Sequence, residues 1–175
     1  PEPFITAPSP NGVDVGGNVI RYPLAEGYDL DYSVESNQVK QNLVLREVPV
    51  LPEAAEYFGL SEGLRMPVGY ALFSGETMLG EEIFKTQEDL QIRNIETGEL
   101  LAEIPAPVIM EAGAEEPYLG TFFVQVYGPE ILLITVVESD WLLDEDRVYP
   151  VAIDPSIRVN SNACLLYTSD AADDP

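Results

Sequence analysis

Histidine is absent from this chain of 175 residues, and cysteine occurs once, at Cys164. Without imidazole, a Ser-His-Asp triad, a His-ligated zinc and an imidazole general base cannot be assembled from these residues. A single thiol forms neither an internal disulfide nor a thiolate metal cluster. Basic residues are scarce too, with 8 Lys and Arg against 31 Asp and Glu, a formal net charge of −23. A surface of that sign is repelled by phosphate backbones and anionic lipid, which argues against nucleic acid and membrane surfaces as partners. Long apolar runs are also missing. The longest, Ile131 to Val137, falls far short of the ~20 residues of a spanning helix, and no signal-peptide pattern is visible.

What is present argues for a folded domain. Strong acidity accompanies disorder only when hydrophobicity is low, and here 46% of the residues are hydrophobic. A single domain of this size buries roughly 68–70% of the surface its unfolded chain exposes, enough to fold without metals or disulfides. The end of the chain stands apart. Cys164 to Pro175 (CLLYTSDAADDP) reads as a transposon-end sequencing adapter translated in frame, which would make the chain a piece of a larger open reading frame; such a segment is set aside from fold reasoning. It holds only Asp170, Asp173 and Asp174 among the acids, so the acidity belongs to the rest of the chain.

Residues 1–16, proline-rich at first and glycine-rich from Gly12 to Gly17, read as an extended linker with a flexible entry to the first strand. The glycines carry neither a P-loop lysine nor a dinucleotide fingerprint. From 17 to 157, short runs of Val, Ile, Tyr and Phe alternate with Gly, Pro, Asn and Asp, the pattern of an antiparallel all-β domain. Asn18 to Tyr22, Asp29 to Val34 and Val39 to Arg46 are the first strands, and Ser36-Asn37 is the turn of a hairpin. Pro52 to Phe58 suits a short helix, with strands following at Val68 to Phe73 and Met78 to Phe84. Leu90 to Ile95 and Glu99 to Ile104 form a hairpin about Glu96-Thr97-Gly98. Pro105-Ala106-Pro107 breaks the ladder and Glu111 to Pro117 is an acidic loop. Thr121 to Tyr127 and Ile131 to Val137 are apolar enough to be central strands. Ser139 can cap one helical turn through Leu143, and Val148 to Ile153 is the last strand, stopped by Asp154-Pro155. About ten strands with one or two helical turns make a β-sandwich-like domain. Residues 158–163 begin a linker to a next domain.

Four blocks, VIRYPLAEGYDLDYSV (Val19 to Val34), VKQNLVL (Val39 to Leu45), IPAPVIMEA (Ile104 to Ala112) and DWLLDEDRVYPVAIDPSI (Asp140 to Ile157), resemble, in that order, the β-rich region preceding the DNRLRE domain in large bacterial cell-surface and secreted proteins. Many of those carry RHS or YD repeats further along, as in wall-associated proteins and polymorphic toxins. The ending at Tyr149 to Pro155 is the most specific element. The resemblance implies an extracellular or cell-surface location, neighbouring domains of the same polypeptide as partners, and activity housed in other modules. The stretch Pro49 to Glu88 matches nothing in that pattern.

No residue is assigned a catalytic, cofactor-binding or metal-ligating role from the sequence, and no cofactor is implied. A serine–lysine pair would need Lys40 or Lys85 in an apolar pocket that lowers its pKa, and each lies in a polar strand. With so many acids, some pair will meet the 5–9.5 Å spacing of a glycosidase by chance, and nothing marks one pair above a solvated surface. Calcium would draw on Asp144-Glu145-Asp146 and Glu111 to Glu116, neither of which has the spacing of a dedicated calcium loop. Carbohydrate would stack on Trp141, Tyr118, Tyr70, Tyr32 or Tyr28; packing under a sheet edge is the simpler role for Trp141, and half-buried strand positions for the tyrosines. The expected function is therefore a non-catalytic structural or spacer module, with a carbohydrate- or calcium-binding module of an adhesin as the alternative.

Overall fold

The computed structural model describes residues 11–35 and 38–160. The Ser36-Asn37 turn, the first ten residues of the linker and the adapter-like tail with Cys164 lie outside the described residues. The first strands, β1 (Val13–Gly16), β2 (Val19–Ala25), β3 (Tyr28–Val34) and β4 (Gln38–Leu45), form an antiparallel meander. Regular structure thus begins inside the region read as linker. Asp14 Oδ1 accepts a 2.8 Å hydrogen bond from Gly16 N, and Gly16 and Gly17 take φ of 87° and 65°, so the glycines build a hairpin turn and not a loose entry.

Next comes β5 (Tyr57–Arg65), where a helix was expected over its start. Phe58, Leu60, Glu62 and Leu64 alternate with exposed Gly59, Ser61, Gly63 and Arg65, a period of two that the glycines disguise. Gly59 is required by proximity: a Cβ there would stand 1.9 Å from the carbonyl oxygen of Thr135 on the paired strand. Strands β6 (Tyr70–Ser74) and β7 (Thr77–Met78) make a small hairpin, and β8 (Phe84–Thr86) follows. The single strand expected from Met78 to Phe84 is divided because the chain changes sheets there. Gly80 O accepts from Val126 N at 2.9 Å and Glu81 O from Gln125 Nε2 at 2.8 Å along the crossing.

The hairpin of β9 (Leu90–Asn94) and β10 (Leu100–Ile104) forms as the sequence indicates. Strands β11 (Val108–Glu111) and β12 (Tyr118–Leu119) flank the acidic loop and were not foreseen. The strongly apolar β13 (Thr121–Tyr127) and β14 (Glu130–Glu138) pair over seven residues and occupy the middle of their sheet. One helical turn, α1 (Ser139–Leu142), follows. Ser139 is its first helical residue and not its cap: Glu138 holds the cap position, the Ser139 N–H donates to Glu56 O at 2.9 Å, and the Ser139 Oγ is buried without a partner. The last strand is also displaced: Pro150 has no N–H for a ladder, so β15 spans Val151–Asp154, and after Pro155 the chain resumes as β16 (Ile157–Val159), which crosses from the expected domain end at 157 into residues read as the next linker.

All pairings are antiparallel and fall into two sheets, so the molecule is an all-β, sandwich-like domain. The small sheet runs β5-β14-β13-β8. The twelve-stranded sheet forks at β4, which pairs with β15 at Leu43–Leu45 and with β16 at Gln38 and Val39. From β15 the sheet continues to β11 and β12, and from β16 to β10, β9, β6 and β7.

Each branch closes its own core against the small sheet. Leu72, Leu90, Ile92 and Ile104 pack on Phe122, Val124, Ile131 and Leu133 in one. Leu30, Leu43, Leu45, Ile109 and Ile153 pack on Val137 of the small sheet and on Leu142 of α1 in the other. Each fully buried Leu, Ile or Phe contributes about 1.5–3 kcal/mol. Strand β14 serves both cores, with Ile131 and Leu133 in the first and Val137 in the second. Between them, on the same face, stands Thr135, fully buried, with an Oγ1 that meets no hydrogen-bond partner.

Candidate functional site

Three of the side chains singled out in the sequence, Trp141, Tyr118 and Glu111, are linked, the last through Arg147, where β11, β12, β14 and α1 meet. Trp141 of α1 is half-buried and stacks on Tyr118 of β12, ring centroids 4.6 Å apart and planes 15° apart. The Arg147 guanidinium lies 4.7 Å from the same indole. Tyr118 OH donates to Glu138 Oε2 at 2.8 Å, and burial followed by this carboxylate raises the phenol's pKa. Arg147 pairs with Glu111 Oε2 at 3.1 Å, and Val148 N donates to the same oxygen at 3.3 Å. Tyr149 OH donates to Leu142 O at 2.7 Å and fastens the last strand's approach to α1.

This arrangement shows what each candidate group touches in the fold. The indole's surroundings are occupied by a phenol ring and a guanidinium, so a sugar would have to displace one of them to stack there. Of the two acidic loops, Glu111 already faces a cation, Arg147, while Asp144 Oδ1 accepts from Asp146 N at 2.8 Å in a local turn. Among the described residues no group of three or more Asp, Glu, His or Cys is placed to hold a metal ion. Tyr28 lies in the second core, 6.0 Å from Phe58, Tyr32 packs edge-on against Tyr22 at 5.8 Å, and Tyr70 borders the first core.

The lysines are likewise engaged. Lys40 Nζ stands 3.6 Å from Glu35. Lys85 Nζ hydrogen-bonds Tyr57 OH at 3.0 Å and lies over the Tyr57 and Phe123 rings; that hydrogen bond raises its pKa, the opposite of what a nucleophilic amine requires. An open cleft of about 440 Å³ runs from Lys85 past Gln87, Glu88 and Thr121 to Glu138. Its Gln87 amide is turned to the backbone, donating to Gly120 O at 3.0 Å.

Two polar groupings were not anticipated. On the outer face of the meander, Arg21 Nη2 meets Asp31 at 2.6 Å and Arg46 Nη2 meets Asp29 at 2.5 Å, with both aspartates buried. On the inner face of β5 stands Glu62, whose Oε2 is buried without a partner. The signal for it was in the sequence, as the charged member of the alternating series Phe58, Leu60, Glu62, Leu64.

Fold and contacts together define an all-β protein of two antiparallel sheets whose conspicuous side chains hold the sheets and their connections in place. Among the described residues no helix is long and apolar enough to cross a membrane, which says nothing of β-barrels. Comparison with protein-family models, with curated proteins and with solved structures gives no match to this chain.

Proposed function

We propose that this chain is a non-catalytic spacer module of a large modular bacterial protein, secreted or at the cell surface, of the kind that carries DNRLRE and RHS or YD-repeat regions. The supporting observation is the placement of the segment on which the resemblance is most specific. Tyr149 to Pro155 contains β15, and with β16 it lies inside the large sheet: β15 is bonded to β4 and β11, β16 to β4 and β10. Tension passed along this segment is opposed by ladder hydrogen bonds on both sides and by Val151 and Ile153, both fully buried. Neighbouring domains of the same polypeptide would be its partners, and its acidic surface keeps it apart from nucleic acid and anionic membranes.

Sequencing the source DNA for several kilobases on both sides of the codons for Val159 to Pro175 tests this reading. A frame that continues without the CLLYTSDAADDP codons into DNRLRE-like strands and YD repeats is the expected result. Those codons in unbroken genomic sequence ending at a stop would overturn it. A second reading, calcium or carbohydrate binding within an adhesin, draws on the cleft beside Glu138 and on the acidic loops. Thermal melts in calcium, magnesium and chelator are expected to share one midpoint; a rise specific to calcium, or glycan capture lost in Trp141→Ala without loss of fold, would favour the second reading.

A further inference from the structure

The two cores do not merge; a polar seam separates them. On β14 the inner face passes from Leu133 in one core to Val137 in the other through Thr135. On β5 it passes from Leu64 to Leu60 through Glu62, which stands opposite Leu133 and diagonal to Thr135. From the large sheet, β4 presents Gln41, 8% exposed, whose side chain hydrogen-bonds the Glu62 carboxylate. Gln41 lies between Val39, near the contact with β16, and Leu43, in contact with β15, so the seam crosses the molecule where the large sheet forks.

We propose that Glu62 is a proton-operated clasp across this seam: carrying a proton, it lets the inner faces of β4 and β5 close on one another, and as a carboxylate it draws in water and loosens the join between the two cores.

The surroundings favour the neutral form. Facing Glu62 are Gln41 from β4, Tyr32 from β3 with Tyr22 of β2 beside it, Leu133 and Thr135 from β14, and Leu60 and Leu64 on its own strand. Among the described residues no Lys or Arg forms an ion pair with it. Its Oε2 and Thr135 Oγ1 are both buried and unpartnered, and an ionised oxygen in that position lacks the hydrogen bonds water would supply. Burial accordingly pushes the carboxyl up to about 7, and the Gln41 hydrogen bond only partly offsets it. Gln41 can serve both states, since its amide donates to a carboxylate and its carbonyl accepts from a carboxylic acid. Because the folded-state pKa lies above the ordinary value of 4.5, the stabilisation is fully present below about pH 4.5 and is lost as the pH rises through about 7.

The test is equilibrium unfolding of the full chain and of Glu62→Gln between pH 5 and pH 8.5. Because titration of the other carboxylates is common to both proteins, the difference between them reports on this site. The two are expected to be nearly equal at pH 5 and to separate through pH 7, with Glu62→Gln having the smaller unfolding constant at pH 8.5, by about 30-fold. A difference that does not change with pH, or a variant less stable than the parent at pH 8.5, would sink the proposal. Should the variant fold poorly, carbon-13 titration of the Glu62 carboxyl in the unaltered chain decides the matter: a midpoint near 7 upholds the clasp and one between 4 and 5 overturns it.

Discussion

Two sets of acids are withdrawn from water in this molecule, and they are handled in opposite ways. On the outer face of the meander, Asp29 and Asp31 keep only 5% and 11% of their side-chain exposure and each holds a guanidinium, Arg46 and Arg21 respectively. Arg21 Nε and Nη2 both bond Asp31, and this bidentate contact raises the arginine's pKa still further. At the seam, Glu62 has an amide for a partner and no cation. The same residue class therefore serves as a charged cross-link between neighbouring strands in one place and as a titratable joint between sheets in the other. What differs is the partner. The register sets Arg21 directly opposite Asp31, whereas it sets Leu133 opposite Glu62.

The largest effect should come from breaking the paired set. Arg21→Met leaves Asp31 buried against an apolar chain, and breaking a fully buried pair in this way costs about 3–5 kcal/mol. Arg21 retains 29% of its side-chain exposure, so water can reach the abandoned carboxylate and a loss of about 2–3 kcal/mol is expected in urea unfolding at pH 7. The double variant Arg21→Met, Asp31→Leu should regain most of that loss, because no unpaired charge remains. If the double variant is as unstable as the single, the pair is doing something other than neutralising a buried acid.

The unpaired set should respond with the opposite sign. Removing the charge at Glu62 stabilises the protein by about 2 kcal/mol at pH 8.5, a value set below the full pKa displacement because the seam can admit water. At pH 5 the same substitution should change stability little. Equal and opposite responses of these two sites at high pH would establish that pairing, and not burial alone, decides how this fold treats its acids.

How far this could be read in advance varies along the chain. The β9–β10 and β13–β14 hairpins were plain because Gly98 and Gly128, at φ of 72° and 57°, sit between apolar runs of strand length. β5 was hidden. Its Gly59 looks like a breaker, yet it is required by the approach of the Thr135 carbonyl, a contact between residues 76 positions apart that no local pattern reports. The fork was hidden for a related reason. Asp154-Pro155 does end a strand, but β4 is long enough to accept a second one, β16, along the same edge. The packing role of Trp141 was legible from its place before the last strand, whereas the pairing of Glu111 with Arg147 depends on how β11 lies against β15. Composition announced the excess of acid and gave no hint of which acids would be buried, since that is decided by cross-strand register.

The smallest expected effect provides the control on the whole comparison. Arg65 and Glu130 face each other across β5 and β14, at the last residue of the strand that carries Glu62, with Nε to Oε1 at 3.4 Å. The distance differs from that of Arg21 and Asp31 by less than an ångström, but their side chains are 76% and 57% exposed. In water the Coulomb attraction is largely cancelled by hydration and by the entropy of holding two long side chains, so such pairs contribute about 0.2–1 kcal/mol. Arg65→Gln should therefore shift the urea midpoint by an amount equivalent to about 0.5 kcal/mol or less. Half-molar salt should reduce that difference further while leaving the Arg21→Met loss nearly intact, since screening acts on exposed charges far more than on buried ones. A loss at Arg65 as large as that at Arg21 would mean that opposition across a ladder suffices to make an ion pair strong in this sheet. The contrast between the paired aspartates and Glu62 would then rest on register alone, with solvent exposure playing no part.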